Sequence, residues 1–365
     1  MDQNKISTYA TFLCLLYIVV SVFSIAGQSI LMGVMLIASV GRLFYDIDAI
    51  KSNGEKQDFI WLVIPIVYLF TLFYCRDFYR GWNQWLNMAP LTVLSIYFFV
   101  FKNQLKRSIL VQGILIATGM SMLCHVLFPI FKWSAWVIEE LPWSFFHSRE
   151  QNSWILWSAS LVGVVFIKRP VLRFVFFILI EIAFLYFGSA RFAVFILLFY
   201  SVTVVAQGQS IRNLVVQCAL SLPLICIISY VLFIAFHDTI VSFSGYVINY
   251  SNEISFSWNQ MLKHPLTGVG LGDYIHAMWN EYNDHNLPSP DKPNFQFLHL
   301  MVSTGVLSFI PVYWIWKNNL TERNPVFTIT IFMLLGLLFF APFTSQVSCS
   351  AFILPFLVIR LKEFL

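Results

Sequence analysis

Charge is what this chain has least of. Only 11% of its 365 residues are Asp, Glu, Lys or Arg, against roughly a quarter in soluble domains. So few charges cannot cover a globule with a wetted surface, and 59% hydrophobic residues place the chain among integral membrane proteins. Cysteine is also sparse. Cys14, Cys75, Cys124, Cys218, Cys226 and Cys349 lie in or beside apolar runs, so neither a disulfide framework nor a metal-ligand spacing is present. There is no Gly-rich loop ending in Lys-Ser or Lys-Thr, which excludes a Walker-type nucleotide site. No run of basic residues is long enough for nucleic acid to be a partner, and the net charge of +4 is better explained by loop topology.

What is there is a succession of apolar runs. A membrane-spanning helix takes roughly 20 residues. On that measure about twelve spans are predicted, near 8–26, 29–45, 59–75, 86–101, 108–130, 153–167, 171–188, 190–206, 214–236, 297–316, 325–343 and 348–361. The runs are uniformly apolar and lack the alternation of a barrel, so helices are expected. The predicted fold is a single all-α domain over 1–365, a polytopic membrane helix bundle with one large polar loop at 237–296. Lys and Arg favour the cytoplasmic side. With the N-terminus inside, Lys5, Arg42, Lys102, Lys106, Arg107, Lys168, Arg169, Arg173 and Arg360 fall at cytoplasmic ends. Both termini are then inside and the 237–296 loop faces out.

Few residues in such a chain can carry chemistry. Arg191, in "FLYFGSARFAVFILL", sits in an outer turn between two apolar runs, where a charge is costly and points to function. Arg149 in "PWSFFHSREQNSW", with Arg76 and Arg80 in "YCRDFYRGW", lies on the same side. Guanidinium groups donate in a planar fork that matches phosphate oxygens, so the four arginines form a candidate anion site. Each alone is an ordinary interfacial charge. Glu181 lies within "VFFILIEIAFLYF", and the loop carries His264, His276, His285, Asp273 and Glu253; a solvated surface explains these loop residues as well as a site does.

"MLKHPLTGVGLGDY", followed by "NFQFLHLMVSTGVLSF", resembles the signature region of the O-antigen ligase and O-antigen polymerase superfamily. "FGSARFAVFILL" is similar to that family's Ser-Arg entry into a helix, and "REQNSW" to its upstream Asn-containing entry. The resemblance covers roughly Arg149 to Pro311. It implies a metal-independent membrane glycosyltransferase without a cofactor, in the bacterial inner membrane, with its large loop in the periplasm. The donor would be an undecaprenyl-pyrophosphate-linked glycan, and the acceptor another glycan or the lipid A core. Arg191 matches the family's pyrophosphate-contacting arginine; Arg149, Arg76 and Arg80 are the further phosphate contacts that the charge reading above suggests.

The chain departs from the pattern in two places: the segment before Trp258 reads "NEISFS", where the family often carries an arginine, and one catalytic position differs. Counting back from Gly305 places Asn294 where the family has histidine, and a neutral amide does not accept a proton. His285, which heads a literal His-Asn pair several residues earlier, and His299, a little over one helical turn later, are the alternatives for that role. Ligase and polymerase both remain open. A non-catalytic carrier or flippase for lipid-linked sugars is the reading from another class.

Overall fold

The computed structural model describes residues 3–53, 61–130, 149–187, 190–206, 252–284, 296–319 and 326–361. All regular structure among them is helical. In chain order the helices are α1 (Gln3–Phe23), α2 (Ile25–Asn53), α3 (Val63–Thr71), α4 (Phe78–Leu86) and α5 (Ala89–Phe101). Then follow α6 (Arg107–Ile130), α7 (Arg149–Phe166), α8 (Pro170–Phe187) and α9 (Ala190–Ala206). The polar interval contributes α10 (252–263) and α11 (Tyr274–Asp284). The chain returns through α12 (Gln296–Thr304), a single 3-10 turn at Gly305–Ser308, α13 (Phe309–Asn319), α14 (Val326–Phe339) and α15 (Gln346–Ile359).

Four of these stretches are long and apolar enough to cross a membrane: Asn4–Phe23, Ile25–Tyr45, Arg107–Cys124 and Gln296–Ile315. A fifth is added if Phe78–Leu86 and Ala89–Phe101, bent by 40°, form one span. The chain thus has the helices of a membrane protein, and among the described residues fewer of them reach full crossing length than its apolar runs number. The difference is physical. An apolar run is not always one helix: the run at 59–75 yields only the nine residues of α3 before the chain turns. The expected span at 214–236 lies outside the described residues.

Local signals start several helices. Asp77 caps α4 by accepting from Arg80 N at 2.9 Å, Ser345 caps α15 by accepting from Ser348 N at 3.2 Å, and Pro90 stands in the first turn of α5. Each cap satisfies an N–H that the helix itself leaves open.

The centre of the bundle is α15, buried from Val347 to Ile359, packed on α7, α5 and α14. Lipid is as apolar as leucine, so burial alone does not drive such packing; close van der Waals contact and internal hydrogen bonds do. Trp154 and Trp157 of α7 supply the contact. Trp154 meets Phe192 edge-on at 5.0 Å and Phe352 at 5.8 Å, while Phe192 stacks on Phe340 at 3.9 Å. The hydrogen bonds come from Gln28, whose Nε2 donates to Tyr17 OH at 2.9 Å and to Ser350 Oγ at 2.5 Å.

The two ends of the bundle differ. At one, Arg42 lies over Phe101 (5.1 Å), Arg107 over Phe166 (5.2 Å) and Arg360 over Phe356 (5.5 Å). Arg107 Nη1 also donates to Leu361 O at 3.0 Å. The opposite end holds the α3–α4 connection, the polar interval and the start of α12.

Candidate functional site

The polar interval, expected as one loop, contains a helical hairpin. Along α10 and α11 the apolar and polar faces are separated: Phe256, Tyr274, Met278 and Tyr282 are buried together with Val302 of α12. Phe256 meets Tyr282 edge-on at 4.9 Å. Gln260 Nε2 donates to Glu281 Oε1 at 2.7 Å, and Lys263 pairs with the same carboxylate. Tyr274 OH donates to Glu253 Oε1 at 3.4 Å. Burial, and next the Glu253 charge, push the Tyr274 hydroxyl well above the usual phenol range, so it stays protonated.

Between the two helices, "HPLTGVGLGD" forms a turn pressed against the break between α12 and the 3-10 turn. Val269 N donates to Val302 O at 2.8 Å, Gly270 N to Ser303 O at 3.0 Å, and Val306 N to Pro265 O at 2.8 Å. The first two of these bonds take up carbonyls that α12 leaves open at its C-terminal end. Gly268, Gly270 and Gly305 all have positive φ, at 67°, 94° and 59°, the region open to glycine at no steric cost. At Gly272 a Cβ would lie 2.0 Å from Asp77 O, so the turn touches the α3–α4 connection with backbone on backbone.

That connection is held by one carboxylate. Asp273 accepts from Arg76 N at 2.7 Å and from Asp77 N at 3.2 Å, while Thr71 Oγ1 accepts from Leu271 N at 3.1 Å. The arrangement fixes the backbone of Arg76 and Arg80 next to α11, where Arg80 Nη1 lies 3.3 Å from His276 Nε2. His276 Nε2 is also 3.7 Å from Asp77 Oδ2. Arg76 is exposed and Arg80 half-buried. Removing the anchor has a defined outcome: Asp273→Ala should cost about 1.5–3 kcal/mol, the range for lost hydrogen bonds to a charged group. Thermal unfolding in detergent reads this, with Asp284→Ala, at an exposed position of α11, expected to leave the midpoint unchanged.

Beneath this surface His299 is buried, 6% exposed. Phe343 N donates to Gln296 Oε1 at 3.1 Å, which turns the amide nitrogen of Gln296 toward His299 Nδ1, 3.1 Å away, and Tyr68 OH, also 3.1 Å away. An amide nitrogen donates only, so Nδ1 is an acceptor and the imidazole proton sits on Nε2. Among the described residues Nε2 has no hydrogen-bond partner. Tyr274 closes over the ring edge-on at 4.4 Å. What this assembly offers is a preset N–H donor.

The remaining predicted residues are placed by their helices. Arg149 is the first residue of α7 and Arg191 the second of α9. The neighbour of Arg191, Phe192, stacks on Phe340, and Phe340 O accepts from Gln296 N at 2.9 Å. The start of α9 is thereby tied to the start of α12. His285 and Asn294 lie outside the described residues. Glu181, 3% exposed, is in mid-α8, one turn from Phe177, which stacks on Tyr200 of α9 at 4.2 Å.

Sequence reading missed Tyr68 and Gln296. Both look like ordinary members of apolar runs, and the sequence separation of 231 between Tyr68 and His299 leaves no periodic signal. No known family profile matches the chain and no curated protein matches it. Fold and site together define a helical membrane protein with a structured polar cap at one end.

Proposed function

We propose that the chain is a membrane glycosyltransferase of the O-antigen ligase or O-antigen polymerase type, acting on an undecaprenyl-pyrophosphate-linked glycan at the periplasmic face. Its full topology in this reading is about twelve spans in the bacterial inner membrane with both termini cytoplasmic. The observation that carries the reading is the docking of the Gly268–Gly272 turn onto the α12 break at Gly305. The two segments that resemble the superfamily's signature thus form one unit, with Arg76 and Arg80 at its surface and His299 beneath. The basic residues gathered at the opposite end support the orientation.

In the reaction an acceptor hydroxyl attacks the anomeric carbon. The new glycosidic C–O bond forms as the bond to phosphate breaks, and the pyrophosphate leaves with the electron pair. Arg191, Arg149, Arg76 and Arg80 neutralise that leaving group. The hydroxyl proton goes to a base, for which His285 is the candidate. His299 suits another role, because its lone-pair nitrogen is engaged by Gln296 and its buried ring braces the start of α12 beneath the cap. Asn294 can hold a substrate hydroxyl by hydrogen bonding but cannot take the proton.

Deleting the gene and resolving the cell's lipopolysaccharide on a gel tests the proposal. Loss of a polymerase leaves core bearing a single repeat unit. Loss of a ligase leaves bare core while carrier-linked polymer accumulates. A normal ladder overturns both. A non-catalytic carrier is separated by the purified protein, which would then transfer no glycan from an undecaprenyl-pyrophosphate donor.

A further inference from the structure

At the basic end of the bundle, far from the polar cap, a cleft of about 630 Å³ lies between α1, α2 and α5. Its walls are apolar and aromatic, with Tyr9 and Leu13 from α1, Ala38 from α2, and Tyr97 and Phe101 from α5. The charged group in its lining is Arg42. The guanidinium lies over the Phe101 ring, 5.1 Å from the centroid, and its Nη2 donates to the Gln104 side-chain oxygen at 2.9 Å. Gln104 is fixed in turn, its main-chain carbonyl accepting from Ser7 Oγ at 2.6 Å. Nε and Nη1 of Arg42 are buried, and Nη2 carries a second N–H beyond the one given to Gln104, the donor it offers to a phosphate oxygen.

We infer that this cleft binds one anionic membrane phospholipid, with the headgroup phosphate on Arg42 and an acyl chain along the wall formed by Tyr9, Leu13 and Tyr97. A long apolar groove closed by a single fixed cation matches an acyl chain joined to a phosphate, and the surrounding bilayer supplies such molecules. Charge selects the headgroup. Lys106, whose N–H donates to Thr11 Oγ1 at 3.2 Å, stands beside Gln104. Lys5 lies one turn before Tyr9, and against these Asp46 and Asp48 follow Arg42 within two turns of α2. The balance is positive, and basic residues at a membrane surface draw anionic lipid. The inference stands apart from the glycan reading, since it concerns the other end of the molecule.

Native mass spectrometry of the detergent-purified full chain, supplied in turn with phosphatidylglycerol and phosphatidylcholine, tests it. The wild type should retain one phosphatidylglycerol, about fivefold in preference to phosphatidylcholine, the factor expected for one basic contact. Arg42→Ala should erase that preference. Ala38→Trp, which fills the cleft and keeps the cation, should remove the bound lipid of either kind. Thermal unfolding identifies any variant that fails to fold, and the lipid preference of the wild type decides the matter even then. Equal retention of the two lipids by the wild type overturns the inference. So does an unchanged preference in folded Arg42→Ala, or a dimer mass lost in both variants, which would place a second copy of the chain in the cleft.

Discussion

Gly305→Ala should unfold the polar cap and abolish activity, although it adds one methyl group. A Cβ at this position would lie 2.6 Å from Pro265 O, 2.7 Å from Leu266 C and 2.8 Å from Gly268 N. All three are backbone atoms, so no side-chain rotation relieves the overlap. The φ of 59° adds the left-handed penalty, of order 1–2 kcal/mol for a residue with a Cβ. The turn must therefore withdraw from α12, breaking the bonds from Val269, Gly270 and Val306, which would otherwise contribute about 0.5–1.5 kcal/mol each. The total, on the order of 3–5 kcal/mol, is larger than most point mutations produce. Its effect reaches the site because the same turn carries Asp273, which holds the backbone under Arg76. The comparison is Gly119→Ala in α6, where a Cβ meets nothing within 4 Å; this change should leave stability unchanged or slightly raised. Thermal unfolding and proteolysis of the cap in detergent distinguish the two. Equal midpoints for both variants would show that the turn does not depend on this glycine.

The glycine spacing was legible before any coordinates because it records a backbone requirement, and positive φ at Gly268, Gly270 and Gly305 is that requirement met. The hairpin flanking the turn was legible in principle. Tyr274, Met278 and Tyr282 recur every four residues, the spacing of one helix face, yet the charges scattered among them read as a solvated loop. In the structure Glu253 and Glu281 are buried, with Gln260, Lys263 and Tyr274 as their partners. A carboxylate in a polar stretch thus looks the same in sequence whether it is wetted or paired. The contacts of His299 were not legible at all, because Tyr68 and Gln296 engage it through hydrogen bonds that composition does not encode, the first of them from a distant helix. The length of single helices among the described residues was not legible for the opposite reason. Apolar residues continue past the ends of helices such as α3, so run length exceeds helix length.

On the proposed function, Arg191→Ala should lower glycan transfer by about 10²–10³-fold, the scale for removing one group that stabilises developing negative charge, and leave the fold intact. The position justifies the second half of that statement. Arg191 opens α9, and the packing of that end is done by its neighbour: Phe192 is fully buried, stacked on Phe340 at 3.9 Å and on Phe184 at 6.0 Å. The same contact ties α9 to α12, since Phe340 O holds Gln296 N and Gln296 holds His299. Phe192→Ala is therefore the structural counterpart. It should cost about 3–5 kcal/mol, as emptied aromatic core sites do, and its loss of activity should follow its loss of folded protein. The two variants part in one measurement, transfer from an undecaprenyl-pyrophosphate donor normalised to folded protein. Arg191→Ala should stay inactive after normalisation and Phe192→Ala should recover. Arg191→Lys refines the result, because lysine restores the charge without the planar fork. Partial recovery there assigns the residue to charge neutralisation, and no recovery to bidentate geometry. Near-normal transfer by folded Arg191→Ala would remove this arginine from the phosphate site altogether.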